Sequence, residues 1–98
     1  VTGARAQAIA TVRLEEPHVR VTEYRFSPDA ETGWHRHGHD YIVVPLTTGK
    51  LLLEEPDGTS RTAELVMHQP YTRCAGVEHN VINVNAFEFV FLEIEVLR

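Results

Sequence analysis

Two short stretches carry the residues best suited to chemistry: Trp34-His35-Arg36-His37-Gly38-His39-Asp40, and Gly76-Val77-Glu78-His79 about forty residues later. Four of the six histidines fall within them. Side chains alternate between the faces of a strand, so His35 and His37 share a face with Cα atoms about 6.5–7 Å apart, close enough for two imidazoles to converge on one ion. A third histidine from a neighbouring strand would complete the set, and His79 is placed to supply it. Neutral imidazole suits zinc, copper, iron and nickel, and three protein ligands leave coordination positions for water or substrate. The plainer alternative is a pair of strand histidines that face solvent or hold single hydrogen bonds. His39 shares parity with His37, but Gly38 bends the strand and leaves His39 at the rim. His18 follows a turn and reads as solvated, and Glu78 would face away from His79.

The elements that must position these residues are strands. Ala8 to Leu14 and Val19 to Phe26 are rich in β-branched and aromatic residues and are separated by a Glu15-Glu16-Pro17 turn. Ser27-Pro28-Asp29 breaks the run, and Trp34 to His37 resumes it. Tyr41 to Leu46 is an apolar run of buried-strand length. It ends at Thr47-Thr48-Gly49, with Lys50 to Glu55 expected to return as its partner. Pro45 cannot donate to a ladder, which directs its amide side to a sheet edge or bulge. Pro56-Asp57-Gly58 is the strongest turn signal, and Thr59 to Val66, Tyr71 to Cys74, His79 to Val84 and Phe87 to Val96 follow as further strands. No segment has helical periodicity. Many short strands at regular spacing predict an all-β sandwich or barrel, with no long helix. The last segment is apolar on both faces, so a second copy of the chain is expected to cover its outer side as a homodimer.

Composition narrows the partners. The 98 residues are expected to form a single domain, 43% apolar and 23% charged, without repeats or low-complexity runs. A net charge of −5, with nine scattered basic residues, argues against nucleic acid, which needs clustered Lys and Arg. No basic amphipathic stretch suggests a membrane surface, and no apolar run is long enough to span a bilayer. Cys74 is the only cysteine and can form no intrachain disulfide. These features read as a soluble cytoplasmic protein.

The histidine pattern resembles the cupin superfamily, whose first motif places H-x-H between two glycines, followed after a short spacer by a glutamate. Three or four residues intervene between that second histidine and the glutamate. The superfamily's second motif reads glycine, proline, glycine, histidine and asparagine at fixed intervals. Laid on this chain, the first motif puts Asp29 at the opening glycine, His35 and His37 at H-x-H, Ile42 at the glutamate and Gly49 at the closing glycine. The second puts His68, Cys74, Gly76, His79 and Asn83 at its five positions. The resemblance spans roughly Tyr24 to Glu93 and implies a cupin double-stranded β-helix, or jelly-roll barrel. Within the superfamily the chain is similar to small single-domain bacterial cupins, some of them linked to β-alanine degradation.

Where the chain departs from the motifs, the consequences differ. Asp29 and His68 stand at turn glycines, and both types are enriched among non-glycine residues with φ > 0. Cys74 at the proline position reads as a small buried hydrophobe near the barrel mouth. Asn83 is expected to serve structure. Ile42 removes the family's usual carboxylate ligand, so the resemblance implies a metal set of His35, His37 and His79 alone. Asp40 or Tyr41 could supply an oxygen if the hairpin shifts by one residue, and His39 a further nitrogen. Tyr24, Trp34, Tyr71 and Arg73 are candidate pocket residues, with Arg73 suited to a bidentate grip on a carboxylate.

A neutral three-histidine set leaves a divalent ion its full positive charge, which favours a small anionic metabolite. One divalent transition metal is expected, with Zn, Fe, Ni, Mn and Cu all compatible. The implied functions are a metal-dependent dioxygenase or isomerase and, as the alternative, a non-catalytic small-molecule-binding or structural module.

Overall fold

A computed structural model describes residues 4–97 of the chain. Its nine strands are β1 (Ile9–Glu16), β2 (Val19–Phe26), β3 (His35–Arg36), β4 (Tyr41–Pro45), β5 (Gly49–Glu54), β6 (Ser60–Leu65), β7 (Tyr71–Arg73), β8 (Glu78–Asn83) and β9 (Phe89–Val96). There is no helix among the described residues, and hence none long and apolar enough to cross a membrane. The strands form a five-stranded sheet in the order β1-β2-β9-β4-β7 and a four-stranded sheet in the order β3-β8-β5-β6. Named strand pairs are all antiparallel.

Alternation along each strand decides what lies between the sheets. Phe26 pairs with Phe89 and Tyr24 with Phe91 across β2 and β9, and all four point inward. They meet Val43 from the same sheet and Leu51, Leu53, Leu65 and Val81 from the other. Phe26 and Phe91 tilt against each other with ring centroids 5.5 Å apart, a geometry that favours aromatic pairs.

Every strand segment expected from sequence is present, with three local corrections. β1 runs on to Glu16, so the first hairpin turns on Pro17-His18 alone. Phe87 lies before β9 and is half exposed. The larger correction concerns β4 and β5, which are not partners: β4 pairs with β7 and β9, and β5 with β6 and β8. Thr47-Thr48 therefore carries the chain across from one sheet to the other instead of closing a hairpin.

The turn chemistry holds. Asp29 (φ 67°) and His68 (φ 66°) adopt the left-handed conformation expected of residues at glycine positions. At the β5–β6 turn, Asp57 Oδ1 accepts from the Thr59 amide at 3.0 Å and from the Thr59 hydroxyl at 2.6 Å. Pro45 ends β4 beyond the last residue paired with β7, where its missing N–H costs no ladder bond on that side. Asn83 is fully buried and tethers the end of β2 to the segment before β9. Its amide nitrogen contacts the carbonyls of Phe26, Ser27 and Phe87 at 3.2, 3.2 and 2.9 Å, and its oxygen accepts from the Asn85 amide at 2.9 Å.

Candidate metal centre

β3 and β8 are short neighbours whose register sets His35 directly opposite His79. His37 lies just past the end of β3. Its amide donates to the Val77 carbonyl and its carbonyl accepts from the Gly76 amide, both at 2.8 Å, so the strand pairing continues far enough to aim a third imidazole at the first two. The Nε2 atoms of His35 and His37 are 3.0 Å apart, and those of His37 and His79 3.2 Å. Two nitrogens bound at about 2.0–2.1 Å to one ion lie about 3.0–3.4 Å apart, so the spacing fits a shared transition metal. Among the described residues these three histidines are the only cluster of potential ligands of this kind.

The protonation states suit the same purpose. His35 Nδ1 lies 2.8 Å from the Gly33 carbonyl, which can only accept, so Nδ1 carries a proton and Nε2 is the atom turned to the other two histidines. Burial, reinforced by the neighbouring His35, holds His37 down at about 4. Burial followed by His35 and His37 holds His79 down at about 3. Both rings are neutral at neutral pH, the form that ligates.

The support behind His35 was not legible in the sequence. Gly33 adopts φ +85°, and its carbonyl also accepts from the Thr32 hydroxyl at 2.9 Å. Its amide donates to Asn80 Oδ1 at 2.9 Å, while Asn80 Nδ2 donates to Glu31 and Glu54 at 2.8 and 2.9 Å. Asn80 thus fixes the backbone that fixes His35.

The expected fourth ligand is where the structure departs from the motif. Ile42 pairs with Ile94 and Thr72 on the outer face of the five-stranded sheet, and Tyr41 takes the inward position. The spacing after His37 is the shorter of the two the family allows. Tyr41 stacks on His37 with ring centroids 3.8 Å apart and planes at 16°, and its buried hydroxyl has no hydrogen-bond partner among the described residues. Asp40 points elsewhere: it is exposed, and its carboxylate accepts from the Ala75 amide at 2.8 Å. His39 is half-buried and outside the cluster.

The histidines open into a cavity with about 420 Å³ of free space, mouth included, lined also by Tyr24, Tyr41, Tyr71 and Arg73. Burial, more than the nearby Glu93, pushes the Tyr24 hydroxyl up to about 12 and keeps it a donor. Trp34 is instead 55% exposed and faces a separate hollow beside Glu54 and Gly58. Cys74 is exposed, not a buried hydrophobe, because it falls just beyond β7 in the turn before Gly76.

Glu93 escaped the sequence reading. It is 6% exposed on the inner face of β9 and lines the cavity, with Oε1 4.0 Å from His37 Nδ1. Burial, with help from Glu95, pushes it up to about 7. With His37 neutral, the two form no ion pair. The signal was present as parity: Glu93 shares a face with Phe89 and Phe91, and an acid in such a row points into the core.

Relatives share this fold. A crystal structure of a cupin domain from Bordetella pertussis Tohama I is 57% identical, covers 97% of this chain and 98% of its own, and superposes with a TM-score of 0.93. The chain belongs to the cupin superfamily. The β-alanine degradation protein BauB of Pseudomonas aeruginosa is 62% identical over 92 residues, covering 94% of this chain and 96% of that protein. A double-stranded β-helix protein from Klebsiella pneumoniae shares the fold at 18% identity, with a TM-score of 0.75 over 98% of this chain and 82% of its own. No protein-family model matches the chain.

Proposed function

We propose that this cupin binds one divalent transition metal through His35, His37 and His79 and uses the site to act on a small carboxylate metabolite. The convergence of three imidazoles at 3.0 and 3.2 Å carries the reading. When bound, such an ion supplies Lewis-acid or redox chemistry at its remaining positions, as isomerisation or dioxygenation requires. The chain's own contribution is to hold three lone pairs on one point, to exclude water with Leu51, Leu53, Val81 and Phe91, and to present Arg73 to an incoming carboxylate. The relationship to a β-alanine degradation protein supports a substrate drawn from the breakdown of that amino acid.

Elemental analysis of untagged protein prepared without added metal tests the metal reading, set beside a His35→Ala/His79→Ala variant. Near one equivalent of a single metal in the wild type and none in the variant is the expected result. No metal in the wild type, with reconstitution also failing, would leave a cavity that binds a metabolite without turnover.

A further inference from the structure

The cavity wall carries one acidic and one basic side chain, Glu93 and Arg73, that have no partner among the described residues. Glu93 makes no side-chain hydrogen bond, and the basic atom beside it is Nδ1 of the neutral His37, 4.0 Å away. Arg73 makes no ion pair and no side-chain hydrogen bond. Its neighbours are compensated: Glu55 holds Arg61 at 3.0 Å, and Arg20 holds Glu95 at 2.9 Å. A buried carboxylate and a half-buried guanidinium without counter-charges are costly, and a nearby pair would be expected to find each other.

The fold keeps them apart. Glu93 is on β9 and Arg73 on β7, with β4 between them. Glu93 lies opposite Val43 and Arg73 opposite Tyr41, so their Cα atoms are separated by two strand spacings, about 10 Å, as well as a two-residue offset. One wall thus presents a basic group and an acidic group on either side of β4.

We infer that the cavity takes a short zwitterion, an ω-amino carboxylic acid, with its carboxylate on Arg73 and its ammonium on Glu93. The inference rests on the small-carboxylate reading above and sharpens it. An α-amino acid, with both charges on one carbon, spans the wall poorly. A simple carboxylate leaves Glu93 without a partner, and a diacid sets a second anion against it. The site therefore selects the amino acid before its nitrogen is removed, not the aldehyde acid that an aminotransferase would make from it.

Ligand-observed NMR titration with β-alanine, propanoate and malonate tests this on the full chain, with metal loaded and with metal stripped. Wild-type protein should bind β-alanine at least ten-fold more tightly than propanoate, with malonate weaker than both. Glu93→Gln, which keeps size and shape, should abolish the preference, and Arg73→Gln should weaken both ligands. Propanoate binding as tightly as β-alanine to the wild type would overturn the inference, as would a preference that survives Glu93→Gln or no binding of β-alanine at all. Because the wild-type comparison uses no variant, misfolding of a variant cannot mask the result. Failure of β-alanine to bind protein that carries one equivalent of metal would overturn this inference alone. Absence of metal with the β-alanine preference intact would overturn the metal reading alone.

Discussion

Tyr41 occupies the inward position at which the superfamily usually sets a carboxylate. It fills that space with a ring stacked on His37 and leaves a buried hydroxyl unbonded. An unsatisfied buried polar group costs about 1–3 kcal/mol, so Tyr41→Phe should raise the stability of the ligand-free protein by about 1 kcal/mol. Urea unfolding would show a higher midpoint at unchanged slope. A lower midpoint would mean that the hydroxyl holds a bond that the ligand-free geometry does not reveal. Tyr41 was named from sequence only as a substitute ligand, because the link from His37 to Tyr41 is a bend without alternation. In that bend nothing but the fold decides between Tyr41 and Ile42. A one-residue slip exchanges the faces of every following residue.

At the scale of elements, β3 is only two residues long, yet it carries one of the three imidazoles. Its position depends on Asn80 of β8, whose side chain joins Gly33, Glu31 and Glu54. Asn80→Ala removes these bonds and frees the Gly33 amide, loosening the residue whose carbonyl orients His35. Such outer contacts typically affect metal affinity by 10–100-fold. Competition with a chromophoric chelator should therefore show about ten-fold weaker metal binding, with stability lowered by about 2 kcal/mol. Unchanged affinity would show that the β3–β8 ladder orients His35 unaided. The strands and the three histidines were legible because alternation and motif spacing are local signals. The crossing from β4 to β5 was not, since an apolar run followed by Thr-Thr-Gly reads the same whether the next strand pairs back or enters the other sheet. Asn80 was hidden for a related reason: its partners are 26 to 49 residues away in sequence.

For the whole molecule, the outer face of the five-stranded sheet is the feature that awaits a partner. A bulge at Arg13 shifts the β1–β2 register and brings Leu14 opposite Val21. Val21 lies opposite Ile94, and Ile94 opposite Ile42, so one apolar row crosses four strands. Leu92 and Val44 form a second row beside it. These side chains are half-buried or more exposed, and a sheet apolar on both faces is ordinarily covered on both. We propose that a second copy of the chain covers this face. Sedimentation velocity should give twice the chain mass for the wild type and the chain mass for Ile42→Lys/Ile94→Lys. A wild type that sediments as a monomer at micromolar concentration would rule the dimer out.

The turn that follows β7 leaves the chain's only thiol in solvent, one residue beyond Arg73. A maleimide fluorophore can therefore be attached at a single defined point beside the cavity mouth, with no cysteine to remove first and no histidine disturbed. Any ligand that draws the Arg73 side chain inward would alter the surroundings of that dye. The chain thus carries its own optical handle for screening metabolites.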